Sequence, residues 1–167
     1  MNGDATLTRC LGVLAAVVFA SCGGGSQPPA AAKSPSPPVA TEIGPLTLDD
    51  QGCTYAGPTR VASGTVVITM VDNTQLRFNL DVWRLNVGHQ YAELDVHIKE
   101  ERRRMHASEP SLGHPDFATL ITSSNVGIGS HNSRVIAIRA GTYGFACIPF
   151  DTQPRDIWLA GPLEVSG

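Results

Sequence analysis

Leu76, Phe78, Leu80 and Val82 alternate with Arg77, Asn79 and Asp81. In an extended chain, successive side chains point to opposite faces, so this spacing places four apolar groups on one side and three polar groups on the other. The segment is predicted to be a half-buried strand, with Arg77, Asn79 and Asp81 toward solvent. Val66, Ile68 and Met70 repeat the pattern within residues 65–71, and Asp72-Asn73 turns that strand into the next. Val61-Ala62-Ser63-Gly64 reads as a strand end and turn. Residues 134–139 and 142–148 form a further pair of strands joined tightly at Ala140-Gly141, and Leu163-Glu164-Val165 closes the domain. Several short strands separated by turn signals predict a sandwich and not alternating α/β units.

One stretch breaks this rhythm. Between His89 and His106 there are almost no turn residues, and Tyr91, Leu94, Ile98 and Met105 recur at helical spacing. Gly88 precedes the stretch, while Ser108-Glu109-Pro110, Gly113 and Pro115 end it. An inserted helix around 89–107 is predicted to pack across the sandwich. Residues 117–128 fit a loop or a short strand equally well.

The strands and helix fall within residues 43–167, the size of one domain with its own core. Residues 1–21 read as a targeting segment: Arg9 supplies a positive charge, and 11–20 are apolar but too short to span a bilayer. That run ends in Phe19-Ala20-Ser21-Cys22, which resembles a bacterial lipobox with Cys22 as the lipidated residue. Residues 22–42 are rich in Gly, Pro, Ala and Ser, with Lys33 the one basic group, and are expected to form a flexible tether. Such a coil reaches roughly 25 Å, or about 60 Å if fully drawn out as polyproline II. The expected location is outside the cytoplasm, on the membrane through Cys22. Twelve basic against fifteen acidic residues give a formal net charge of −3, and the basic residues are scattered. No nucleic-acid partner is expected.

Of four cysteines, Cys10 leaves with the targeting segment and Cys22 is acylated, which leaves Cys53 and Cys147. In an exported chain such a pair most simply forms a disulfide. Cys147 shares a strand face with Tyr143 and Phe145, so its sulfur points to the core. The competing use of Cys147 is as a thiolate ligand to a metal.

The run Ala140-Gly141-Thr142-Tyr143-Gly144-Phe145-Ala146-Cys147 resembles the last core strand of cupredoxins, the Greek-key β-sandwich family that includes plastocyanin. Cys53, Gly64-Thr65-Val66, Asn73, Phe78, Leu80, Gly141-Thr142-Tyr143 and Cys147 together are similar to bacterial EfeO-type cupredoxin-like domains, over about residues 53–85 and 133–166. Residues 86–132 fall outside the resemblance. It implies an all-β Greek-key sandwich with the helix as an insertion, and copper or iron as the cofactor to test. A blue-copper site needs two imidazoles, a thiolate and a weak axial ligand. The resemblance would place one histidine just after the Asn73 turn, where Arg77-Phe78-Asn79 stands, and another shortly after Cys147. Residues 148–167 contain neither histidine nor methionine.

His89, Glu93, His97 and Glu101 fall at steps of four, an arrangement that can present imidazoles and carboxylates to a metal. At 100° per residue, His89, Glu93 and His97 lie roughly opposite the Tyr91/Leu94/Ile98 stripe, which favours a charged solvent face. Glu100 and Arg104 make an i,i+4 pair on that side. His106, His114 and His131 lie in loops or at element ends. Ser123, Ser124 and Ser130 lack a nucleophile-elbow context, and there is no Cys-x-x-Cys or phosphate-cradling glycine loop, so no enzyme is expected. The leading expectation is a lipid-anchored cupredoxin-like binding module of the cell envelope, active in metal handling or with an envelope protein partner. The alternatives are a copper electron-transfer or copper-relay protein using Cys147, and a structural envelope domain.

Overall fold

The computed structural model describes residues 39–152 and 154–167. The targeting segment, Cys22 and the tether as far as residue 38 lie outside the described residues. Thr41 and Glu42, assigned to the tether from sequence, already belong to the first strand.

Nine strands and one helix follow in chain order among the described residues: β1 (Thr41–Asp49), β2 (Gly52–Tyr55), β3 (Arg60–Ala62), β4 (Gly64–Asp72), β5 (Phe78–Leu85), α1 (Tyr91–His106), β6 (Ala118–Val126), β7 (His131–Ile138), β8 (Gly141–Pro149) and β9 (Trp158–Ser166). One sheet has the order β2-β1-β4-β7 and the other β3-β9-β8-β5-β6. Consecutive strands thus cross repeatedly between the sheets, and the class is an all-β two-sheet sandwich with an inserted helix, as expected. The period-two residues fill the space between the sheets as expected. Val66, Ile68 and Met70 of β4 meet Phe78, Leu80 and Val82 of β5, all within 1% of complete burial. Ile43, Leu46 and Leu48 from β1 and Tyr143, Phe145 and Cys147 from β8 complete the centre of that core.

Strands β7 and β8 do not form the expected pair. β7 pairs with β4, whereas β8 lies between β5 and β9 in the other sheet. The short Ala140-Gly141 connection is therefore a corner between sheets and not a hairpin. Tyr143 latches it: its hydroxyl donates to the Arg139 carbonyl at 2.9 Å and accepts from the Arg139 amide at 3.0 Å. This back-bond from a buried tyrosine is the logic of a tyrosine corner. Residues 117–128, ambiguous in sequence, include β6, which extends the second sheet by pairing with β5.

The expectation that Asp81 faces solvent is also corrected. Asp81 retains only 8% of its exposure and Trp83 only 4%. Helix α1 and the segment that follows it cover this outer face, creating a second apolar cluster of Trp83, Leu85, Leu94, Ile98, Ala146 and Ile157. Gly144 makes the close approach feasible, since a Cβ there would lie 2.7 Å from Leu94 Cδ2. The helix begins two residues later than expected, after Gln90, whose amide donates to Glu93 Oε2 at 2.9 Å in a capping arrangement. His89 consequently precedes the helix.

Candidate functional site

Two regions hold the residues singled out from sequence. The first is the end of the sandwich where the β4–β5 and β8–β9 connections meet. Alternation along β8 turns Cys147 inward, and Cys53 of β2 reaches it from the facing sheet to form a disulfide, with Cα atoms 6.0 Å apart. Asp72 orders the β4–β5 turn by accepting from the Thr74 amide and hydroxyl, both at 2.8 Å. Arg77 then reaches the β8–β9 connection, where its Nη2 and Nε donate to Asp151 at 3.1 and 3.3 Å. The Phe150 amide donates to the Arg77 carbonyl at 2.8 Å. The Arg77 guanidinium holds the Asp151 carboxyl below its ordinary value, chiefly through the side-chain hydrogen bond.

A type 1 copper ion does not fit this set. Its thiolate would be Cys147, whose sulfur is bonded to Cys53. The positions that would supply imidazoles carry the Arg77–Asp151 ion pair. The thiolate-ligand reading of Cys147 thus gives way to the disulfide, which joins two cysteines on facing strands.

The second region lies over the outer face of the five-stranded sheet, around α1 and residues 107–117. His89 Nδ1 lies 2.9 Å from Glu93 Oε2, and the His89 ring stacks on Phe117 at 5.3 Å. The His97 ring meets the same Phe117 edge-on at 6.0 Å, while its Nε2 lies 3.0 Å from the Gly113 carbonyl. Glu101 accepts from Ser111 Oγ and the Leu112 amide, both at 2.6 Å. His89, Glu93 and His97 are neighbours, as their spacing implied. His89 and Glu93 stay exposed, as expected of a solvent face, whereas His97 is half-buried between Phe117 and the strap at 111–113. Among the described residues, no three His, Cys, Asp or Glu side chains group closely enough to hold a metal ion. The Glu93 carboxyl sits below its ordinary value, held first by the Gln90 amide and then by His89. His106 instead bonds Asp156 at 2.8 Å, as does Arg102 at 2.7 Å, with the Arg102 guanidinium over the Trp158 ring.

Beneath the strap lies a cavity of about 340 Å³, bounded by α1, β5, β8 and residues 155 and 157. Its size is in the range of small-molecule sites, which run from roughly 300 to 1,000 Å³. Asp81 and Trp83 line its floor, and Ile98, Met105, Ile148 and Ile157 supply apolar wall. His114 packs edge-on against Trp83, with centroids 5.0 Å apart. The cavity was not visible in the sequence. Its one local signal was Asp81 and Trp83 two apart on a strand otherwise read as half-exposed.

No protein-family model and no curated protein sequence matches this chain. Among solved structures, it is similar to auracyanin A, a blue copper protein of Chloroflexus aurantiacus, at 18% identity. That match covers 78% of this chain and 100% of the auracyanin, with a TM-score of 0.43. It is also similar to the auracyanin of Roseiflexus castenholzii, at 18% identity over 77% of this chain and 97% of that one, with a TM-score of 0.40. A third likeness is to Lac15 from a marine microbial metagenome, at 15% identity and a TM-score of 0.36, over 84% of this chain and 29% of Lac15.

Proposed function

We propose that this chain is a lipid-anchored binding module of the cell envelope, built on a cupredoxin-like sandwich that carries no type 1 copper centre. The Cys53–Cys147 disulfide carries the proposal, because it removes the thiolate on which that copper chemistry depends. A disulfide also suits an oxidising compartment. The Phe19-Ala20-Ser21-Cys22 sequence, the tether after it and the resemblance to EfeO-type domains support export, anchoring through Cys22 and a role in metal handling or with an envelope partner. The cavity over the five-stranded sheet supports binding as the activity, and the absence of a nucleophile elbow or redox dithiol motif from the sequence supports a non-enzymatic role.

The test is to express the full chain with its leader in a bacterial host. Labelled palmitate should be incorporated and the protein should fractionate with membranes, and Cys22→Ala should abolish both. Intact mass should be lower than the reduced chain by two thiol hydrogens, with no thiolate-to-copper colour after exposure to copper salts. A reduced protein retaining one copper would overturn the proposal and favour copper transfer.

A further inference from the structure

The outer face of β5 combines features that the fold alone does not require. Asp81 is more than nine-tenths buried, and its hydrogen-bond donor among the described residues is the neutral Asn79 amide. None of the ion pairs among the described residues includes Asp81. Buried carboxylates are ordinarily paired with a cation or a metal. Two residues along the same face, the Trp83 indole N–H is a buried side-chain donor without a partner among the described residues. Both residues line the cavity under the strap, where Ile98, Met105, Ile148 and Ile157 share the wall with His97, Glu101, Ser111, His114 and Arg155. A buried anion, an aromatic ring and a buried donor thus adjoin one half-open cavity.

We propose that this cavity binds a small organic cation: an ammonium on a compact apolar body that also presents a hydrogen-bond acceptor. Asp81 is the counter-ion and the Trp83 N–H meets the acceptor, while the Trp83 ring adds cation–π attraction. Ile98, Met105 and Ile148 enclose the apolar body. Arg155 lines the cavity but is exposed and forms no ion pair with Asp81, and its charge favours the acceptor end of the ligand. His97 and Glu101 line the cavity as well, and they tie down residues 111–113, of which Ser111 and Gly113 also line it. The proposal names the ligand class of the binding-module reading and rests on it.

Calorimetric titration of the full-length, detergent-purified protein tests it with three probes. L-Leucinamide carries ammonium, acceptor and apolar body; isoamylamine lacks the acceptor; N-acetyl-L-leucinamide lacks the charge. Leucinamide should bind saturably at one site, isoamylamine about tenfold more weakly for want of one hydrogen bond, and the acetylated probe not measurably. Asp81→Asn, which retains the shape of the side chain, should weaken leucinamide at least about tenfold. Trp83→Phe should reduce leucinamide to the level of isoamylamine. No saturable binding of leucinamide, equal binding of the acetylated probe, or undiminished binding by folded Asp81→Asn would overturn the proposal. If Asp81→Asn does not fold, the probe series on the unmodified protein decides. Intact mass and copper loading of the same sample separate the two readings: failure of leucinamide on an oxidised, copper-free protein sinks the ligand class alone.

Discussion

Cys147 is completely buried in the sandwich core and joined to Cys53 on the facing sheet, 94 residues away in sequence. A closed loop of about 100 residues lowers unfolded-state entropy by the equivalent of about 4.7 kcal/mol in the chain-entropy model. Cys53→Ser is therefore expected to cost about 2–5 kcal/mol, read as a lower urea midpoint. An unchanged midpoint would contradict a structural role for the bond. Gly144 is the other residue on which a distant packing decision turns. Gly144→Ala would press a methyl against Leu94 Cδ2 and is expected to destabilise by about 1–3 kcal/mol in thermal or urea melts. The sequence marked Cys147 by its inward strand face, whereas nothing local marked Gly144, because its constraint comes from a helix some fifty residues earlier in the chain.

Helix α1 owes its position to one apolar stripe laid on the sheet. Leu94 is fully buried and Ile98 nearly so, while Tyr91 and Met105 pack at the edges of the same cluster. Burial, and then Asp95, push the Tyr91 hydroxyl up to about 12. Leu94→Ala should cost about 2–5 kcal/mol and should raise amide exchange through residues 91–106. Exchange at wild-type rates would show that the helix docks by other means. The stripe was readable from spacing, but the role of its flank was not, since His97 and Glu101 take their partners from residues 111–113. Those partners lie ten or more positions away, beyond the reach of helical periodicity.

Charge around the helix end gives the whole molecule a defined acid sensitivity. Hydrogen bonds from Arg103 and then Arg104 lower Glu100 from its ordinary 4.5 to about 2. Glu109, held first by Arg103, and Asp151, held first by Arg77, shift in the same direction. A depressed folded-state value means that these groups contribute stability above the ordinary carboxylate range and lose it as pH falls through the folded values. Melting temperature should decline between about pH 4.5 and 2, with a shallower decline for Glu100→Gln. Because the pairs are solvent-exposed, high salt should lessen the effect. A flat profile over that interval would contradict it.

The sequence by itself determined which face of each core strand turns inward, that one helix interrupts the sandwich, and which two cysteines of the folded part can meet. These properties follow from side-chain direction, which repeats every two residues in a strand and every 3.6 in a helix. Strand neighbours were a tertiary decision: alternation orients β7 and β8 identically whether they pair with each other or, as here, with β4 and with β5 and β9. The same holds for the cavity. Asp81 and Trp83 read as a strand's outer edge until α1, the strap and the β8–β9 connection close over them. Burial there is produced by segments far apart in the chain, and local periodicity carries no information about what will cover a face.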